Sequence, residues 1–229
     1  MSRPVRVGII DSGVHSAHPH VGNIAGGVTI GPHSLEASYV DRLGHGTAIA
    51  ALIHARAPHA ELFAVKVFQD TLTTNLRMVL SAIDWCLQNE MDLINLSLGT
   101  PNGEHRAAFE AAVARAGAAG KGIVSAFEVN GAPALPGHLP GVVGVLADAS
   151  KRPGEHGLVT HGAKKIFTAC PFPRDIPGVP RERNLWGVSF AVAHVTATLA
   201  SLWSPSCARS SAADCELLLT HKLGAMASV

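Results

Sequence analysis

Val5-Arg6-Val7-Gly8-Ile9-Ile10-Asp11-Ser12-Gly13 is the stretch on which the fold turns. Apart from Arg6 it is apolar up to Ile10, and it stops abruptly at an acid and a turn pair. A short apolar run ended by turn residues is the pattern of a strand buried on both faces, as in parallel sheets. In an open parallel sheet, sites lie outside the carboxyl ends of the strands, and Asp11 stands at such an end.

Downstream, apolar runs alternate with helical patterns. Residues 45–54 read as a helix stopped by Pro58, and 61–68 as a strand. Residues 73–90 read as a helix with Asn75 as a cap; Leu76, Val79, Leu80, Ile83 and Leu87 share one face. Residues 92–98 form a strand, 104–119 an Ala-rich helix and 122–126 a further strand. A Pro- and Gly-rich loop over 133–140 precedes a strand at 141–146. The region 151–180 is less regular, with short strands at 158–161 and 165–169, and helices at 189–203 and 212–221 follow. Strands alternating with helices imply crossover units and a mostly parallel sheet. No repeat, linker or low-complexity segment breaks the pattern, so residues 1–229 read as one α/β domain.

Bulk properties narrow the function. The 229 residues suffice for one large domain with a full core. Hydrophobic residues at 47% and charged residues at 15% describe a globular chain rather than a disordered one. A net charge of +1 without a basic run gives no electrostatic case for nucleic acid or a membrane surface. The longest apolar stretches are strand-length, short of the ~20 residues of a spanning helix. Met1 to Arg6 shows neither signal peptide nor prosegment before the first strand, so the chain is expected to be either a mature form or a protein made active inside the cell, the second giving a cytoplasmic location. Cys86, Cys170, Cys207 and Cys215 form no CxxC pair and are expected as free thiols. Cys207 and Cys215, close in sequence, are the pair that a disulfide would join.

Three strings carry chemistry: Ile10-Asp11-Ser12-Gly13, Gly44-His45-Gly46-Thr47 and Gly187-Val188-Ser189-Phe190-Ala191. Taken singly, each has an ordinary explanation: a turn, a helix-start histidine, a capping serine. Together they supply an acid, an imidazole and a hydroxyl in the order of a nucleophilic relay. The order Asp, His, Ser separates the subtilisin arrangement from the chymotrypsin one. With their flanks, Asp-Ser-Gly-Val, Gly-His-Gly-Thr-Ala and Gly-x-Ser-x-Ala-x-x-His, these strings resemble the motifs of the subtilisin-like serine proteases, the subtilases. His18-Pro19, Ile94-Asn95-Leu96-Ser97-Leu98-Gly99 and the segment from Ser211 to Leu219 resemble the same family. The resemblance implies a three-layer fold with a mostly parallel central sheet. It implies Ser189 as nucleophile, His45 as base then acid, and Asp11 as the orienting acid. It also implies that Ser97, Leu98 and Gly99 pair with an extended peptide by strand addition. Ser125, Ala126 and Phe127 would then flank the substrate.

The chain departs from the family where the oxyanion is met. The family has Ala-Ala-Gly-Asn, and its Asn side chain donates to the oxyanion; this chain has Ser125-Ala126-Phe127-Glu128-Val129-Asn130-Gly131. Counting back from Leu135-Pro136-Gly137 puts Glu128 in the Asn position; a remodelled loop would use Asn130 instead. An ionised Glu repels a developing oxyanion, whereas a protonated one donates to it, and burial favours the protonated form. Loss of one oxyanion donor, measured in subtilisin itself, lowers kcat on the order of 10²–10³. Phe127 replaces a glycine of the family's S1 pocket, and its ring is expected to narrow that pocket. Val188, Phe190 and Ala193 replace the family's Thr, Met and Pro.

The expected function is a serine endopeptidase acting on a dedicated peptide or precursor, with a partner protein possible. The rival is a subtilase-like pseudo-enzyme that binds peptide or partner without cutting. No cofactor or metal is expected: His15, His18 and His20 sit in a loop with no acidic cluster. Ser189, Asp214 and His221 follow the α/β-hydrolase order, but too little chain follows Ser189 for that fold. Trp186 and Trp203 are expected to pack, and Asp41 and Arg42 to lie in a solvated loop.

Overall fold

A computed structural model describes residues 3–32, 34–176, 178–180, 183–203 and 211–227. Cys207 lies outside these residues, and with it the Cys207–Cys215 pairing. Eleven strands occur among the described residues: β1 (Arg6–Asp11), β2 (Ile24–Ile30), β3 (Leu35–Glu36), β4 (Glu61–Lys66), β5 (Leu93–Leu96), β6 (Gly122–Ala126), β7 (Glu128–Val129), β8 (Ala132–Pro133), β9 (Val143–Ala147), β10 (His156–His161) and β11 (Lys164–Ala169). Nine form one sheet in the order β10-β11-β9-β6-β5-β1-β4-β2-β3; β7 and β8 form a separate hairpin. Within the nine-stranded sheet only the two edge pairs, β10 with β11 and β2 with β3, are antiparallel.

Strand β1 lies near the middle, parallel to β4 and β5, with Val7 opposite Leu62 and Leu93 and Asp11 opposite Lys66. Its alternation serves two cores at once. Val7 and Ile9 face the layer of α1 (His45–Arg56), α4 (Val188–Leu202) and α5 (Ala212–Ala227). Ile10 faces the layer of α2 (Leu76–Gln88) and α3 (Arg106–Ala118). Burial on both faces is why the strand reads as an apolar run rather than as alternation. The result is the expected α/β arrangement, a mostly parallel sheet flanked by helices.

Local chemistry sets the helix starts. Asn75 is extended and its Oδ1 accepts from the Met78 N–H at 3.1 Å, so α2 begins at Leu76 rather than at residue 73. Helix α4 is buried without a break from Phe190 to Ala200, as an all-round apolar helix must be. Strand β2 was not expected from the sequence: Gly26 and Gly27 break its apolar run, Ile24-Ala-Gly-Gly-Val-Thr-Ile. The β7–β8 hairpin was also unexpected. Asn130 and Gly131 form its turn with φ of 52° and 79°, the two left-handed positions of a type I′ hairpin. Among the described residues no helix is long and apolar enough to cross a membrane.

Polar links tie strands and helices together. Arg3, ahead of β1, forks onto Asp92, ahead of β5, at 2.6 and 2.7 Å, with Lys121 at 3.2 Å on the same carboxylate. At the β10 edge of the sheet, His156 Nε2 and Thr198 Oγ1 lie 2.6 Å apart and join β10 to α4. His156 Nδ1 is buried without a hydrogen-bond partner, so a second N–H there would find no acceptor. Burial, and then the charges of Lys222, His194 and Arg56, push the imidazole down to about 3. The folded ring is therefore neutral at pH values where an unfolded imidazole, near 6.5, takes a proton. The unfolded chain binds the extra proton, so this contribution is present above about pH 6.5 and is lost as pH falls toward 3. Urea unfolding at pH 5.5 should show roughly 1 kcal/mol less stability from this group than at neutral pH. In His156→Gln, whose amide still reaches Thr198 without titrating, that loss should vanish. An unchanged pH slope in the variant would place the acid sensitivity elsewhere.

Candidate active site

Asp11 ends β1 and is fully buried. Its Oδ1 accepts from the Ser12 N–H at 2.7 Å and from His45 Nδ1 at 2.8 Å, while Oδ2 is buried and has no hydrogen-bond partner among the described residues. A carboxylate so placed holds the imidazole with Nδ1 as donor, which leaves Nε2 to take and give protons. Burial alone would push the His45 imidazolium down. The bond to Asp11, its charge and that of Asp41 outweigh burial, and the imidazolium is held above its ordinary range.

The two glycines beside His45 make this approach possible. Gly44, at φ 80°, turns the chain into α1. A Cβ on Gly46 would lie 2.2 Å from the Gly13 carbonyl oxygen and 3.2 Å from Asp11 Oδ1. Only glycine lets the first turn of α1 press onto the end of β1. Asp41 is not the solvated loop residue expected of it. It is buried: Oδ1 accepts from the N–H groups of Leu43 and Gly44, and Oδ2 from the N–H and hydroxyl of Thr47. It closes the start of α1 as a capping acid, and these bonds outweigh burial to hold its carboxyl below the usual range. Arg42 is exposed, as expected.

Ser189 lies in the first turn of α4, whose packing against α1 brings it to the same end of the sheet. Its neighbour Phe190 meets the His45 ring at 5.5 Å between centroids. The Ser189 hydroxyl donates to the Ser97 carbonyl at 3.1 Å; among the described residues no hydrogen bond joins it to His45. A buried polar chain backs it. Thr196 donates to Asn95 Oδ1 at 3.0 Å, Asn95 Nδ2 to Ser97 Oγ at 2.7 Å, and Ser97 Oγ to the Ser189 carbonyl at 3.3 Å. Asn95 and Thr196 were not singled out as site residues. Asn95 stands as a polar residue inside an otherwise apolar strand, whereas Thr196 shares its helix with His194, Thr198 and Ser201 and is not set apart by type. His194, buried on α4, donates from Nε2 to the Phe172 carbonyl at 3.0 Å and so anchors the segment leading to Ser189.

Ser97, Leu98 and Gly99 continue β5. Ser97 is buried, Leu98 and Gly99 half-buried. The Ser125 hydroxyl donates to the Leu98 carbonyl at 3.2 Å, and Thr100 pairs with Leu135 through bonds of 3.0 and 2.9 Å. Ser125 and Ala126 are fully buried on β6, and Phe127 follows them. The Phe127 ring packs on His138 at 4.5 Å and His161 at 5.5 Å, beside a cavity of about 440 Å³ that Lys164 and Glu216 also line. Burial, and then the charges of His161, Arg106 and Lys164, push the His138 imidazole down. Glu128 directly follows Phe127, half-buried in β7 opposite Pro133. Asn130 is an exposed residue at the tip of the hairpin, where the turn accounts for it.

Two further expectations need correction or closing. Trp186 does not pack: it is 74% exposed beside the Ser189 turn, whereas Trp203 lies against the core. Asp214 accepts from the Ser211 N–H at 3.1 Å and caps α5, a structural use that takes it out of any hydrolase-like relay.

The subtilase family model matches residues 2–132, more than half of the chain. Subtilisin E of Bacillus subtilis (strain 168) is 39% identical over 108 residues, 43% of this chain and 28% of that protein. Thermostable alkaline protease of Halalkalibacterium halodurans is 34% identical over 214 residues, 85% of this chain and 55% of that protein. Minor extracellular protease Epr of Bacillus subtilis (strain 168) is 38% identical over 105 residues, 42% of this chain and 16% of that protein. The chain thus spans about half the length, or less, of these curated relatives. A family model that covers more than half of the chain, with the Asp11 and His45 motifs inside it and their side chains bonded, leaves one conclusion: the chain belongs to the subtilase family.

Proposed function

We propose that the chain is a serine endopeptidase working through Asp11, His45 and Ser189. The observation that carries this reading is the 2.8 Å bond between a fully buried carboxylate and an imidazole at a helix start, with Ser189 on the adjoining helix. The printed names of the relatives, proteases among them, support it.

In the proposed reaction an extended peptide lies along Ser97, Leu98 and Gly99. The Ser189 hydroxyl turns from the Ser97 carbonyl to His45 Nε2, gives up its proton there, and its oxygen bonds to the scissile carbonyl carbon. His45 then passes that proton to the departing amine as the C–N bond breaks. Water, deprotonated by His45, displaces Ser189 from the acyl ester. The Ser189 N–H, at the N-terminus of α4, meets the oxyanion, and Glu128 stands in the position of the second donor. The substrate class proposed is a dedicated peptide or precursor with a small residue before the cut, because Phe127 stands where the family has glycine.

One observation favours the rival reading. The Ser189 hydroxyl is engaged by Ser97 rather than by His45, as in a protein that binds peptide without cutting it.

Fluorophosphonate labelling of the purified chain, read by intact mass from about pH 4.5 to 8, separates the two. Labelling should require Ser189 and fall by roughly 10³–10⁴ in Asp11→Asn. Its rate should rise with pH through a midpoint above 6.5, since only the neutral His45 accepts the proton and Asp11 and Asp41 hold the charged form. Asp41→Asn should move that midpoint down. Wild type that stays unlabelled at every pH, while correctly folded, would favour the binding protein.

Glu128 gives a second test. Glu128→Gln and Glu128→Asn should keep or raise labelling at neutral pH. Loss of labelling at every pH in folded Glu128→Asn would overturn the donor role. Labelling in Glu128→Asn but not in wild type would show a competent relay held off by the carboxylate.

A further inference from the structure

At the start of α1, along Gly44 and Thr47 on either side of His45 in sequence, lies a groove of about 630 Å³ whose lining does not include Ser97–Gly99. One wall is the outer face of the first turns of α1, at Gly44, Thr47, Ala48 and Ala51. The other is the segment leading into α4, at Pro173, Arg174, Ile176, Arg183 and Leu185. The loop after β1 supplies His15, His18 and His20 at its rim.

The charge of this lining is one-sided. Arg42, Arg174 and Arg183 are exposed, and among the described residues none of the three makes an ion pair. Among the described residues the lining holds a single acid, Asp41, and both of its oxygens are spent on the start of α1. Asp175, next to Arg174 in sequence, is outside the lining. Ile176 and Leu185 are about half exposed, at 48% and 49%, so apolar side chains stand among the cations. A chain with a net charge of only +1 has thus gathered, at the start of α1, three guanidiniums that are unpaired among the described residues.

Position assigns the groove a role. Its wall includes Gly44 and Thr47, the residues around His45, and its far wall runs into Ser189. A general acid must stand beside the amine it protonates, so the departing half of a substrate leaves past His45. We infer that this groove binds the segment on the carboxyl side of the scissile bond and selects one carrying Asp or Glu among apolar residues. The inference rests on the endopeptidase reading for its direction; the choice of an acidic peptide rests on charge complementarity alone.

Two measurements keep the two readings apart. In the first, fluorescein-labelled decapeptides that differ only in carrying Glu or Lys at alternate positions are titrated against the full chain bearing Ser189→Ala, by anisotropy. The Glu peptide should bind about fivefold tighter at low ionic strength, the scale of a few exposed ion pairs. The preference should disappear at about 1 M salt, where the Debye length is near 3 Å. It should also disappear in the triple variant Arg42→Ser, Arg174→Ser, Arg183→Ser, whose replaced side chains are exposed. Binding without charge preference, or a preference that survives the triple variant, would overturn the groove. In the second, the wild type cleaves a degenerate peptide library, and the cut sites are read by mass spectrometry. Acidic residues should be enriched within three positions after the cut; enrichment before the cut would overturn the direction assigned. A wild type that cuts nothing, while Ser189→Ala still binds the Glu peptide in an Arg-dependent way, would sink the endopeptidase reading and support the groove.

Discussion

A buried carboxylate needs a partner, and Asp11 has been given one oxygen's worth. Its Oδ1 takes both the Ser12 N–H and the His45 ring, while Oδ2 has no hydrogen-bond partner among the described residues. Isolated charge in a protein interior is costly. The carboxylate is therefore best satisfied when His45 is close and cationic, which is the state a proton relay visits. Much of the surrounding structure serves that contact. Gly46 permits it, the Ser12 hydroxyl accepts from the Gly46 N–H at 2.9 Å, and Asp41 fixes the turn that presents the ring. Lys66, opposite Asp11 across the sheet, donates to the Val40 carbonyl at 2.6 Å and steadies the approach to Asp41.

The Ser189 side is held differently, by neutral hydrogen bonds rather than by charge. The line from Thr196 through Asn95 and Ser97 to Ser189 crosses from helix to strand and back within the core. Each link has its donor and acceptor matched, which is the condition under which a buried polar network rigidifies rather than weakens. Strand β5 thus fixes Ser189 in the direction in which it also offers Ser97–Gly99 as an edge.

Much of the fold was legible because buried parallel strands print as apolar runs. Residues 5–10, 61–66 and 122–126 could be read for that reason. Strand β2 could not, since its glycines hold no apolar side chain and its pairing with β4 is a matter of tertiary contact. The short hairpin was missed although Asn130-Gly131 is its natural turn signal, because the same residues invited a chemical reading. In the site, the strings around Asp11, His45 and Ser189 marked themselves by type and order. Asp41 and Trp186 did not: burial and exposure depend on what the fold lays over a residue. Asn95 and Thr196 were silent for the same reason, their partnership spanning a strand and a helix distant in sequence.

Helix α4 has no solvent face from Phe190 to Ala200, yet it carries Ser189 in its first turn. Most enzymes that place chemistry on loops can vary a site and leave the interior alone. Here the residue after Ser189 is already core, and the helix that positions it packs on α1 and on strands β5, β6, β9 and β11. Evolutionary freedom in this chain is correspondingly uneven. Its interior cannot drift without being felt at Ser189, so variety among such proteins must come from the surface segments that frame the cleft.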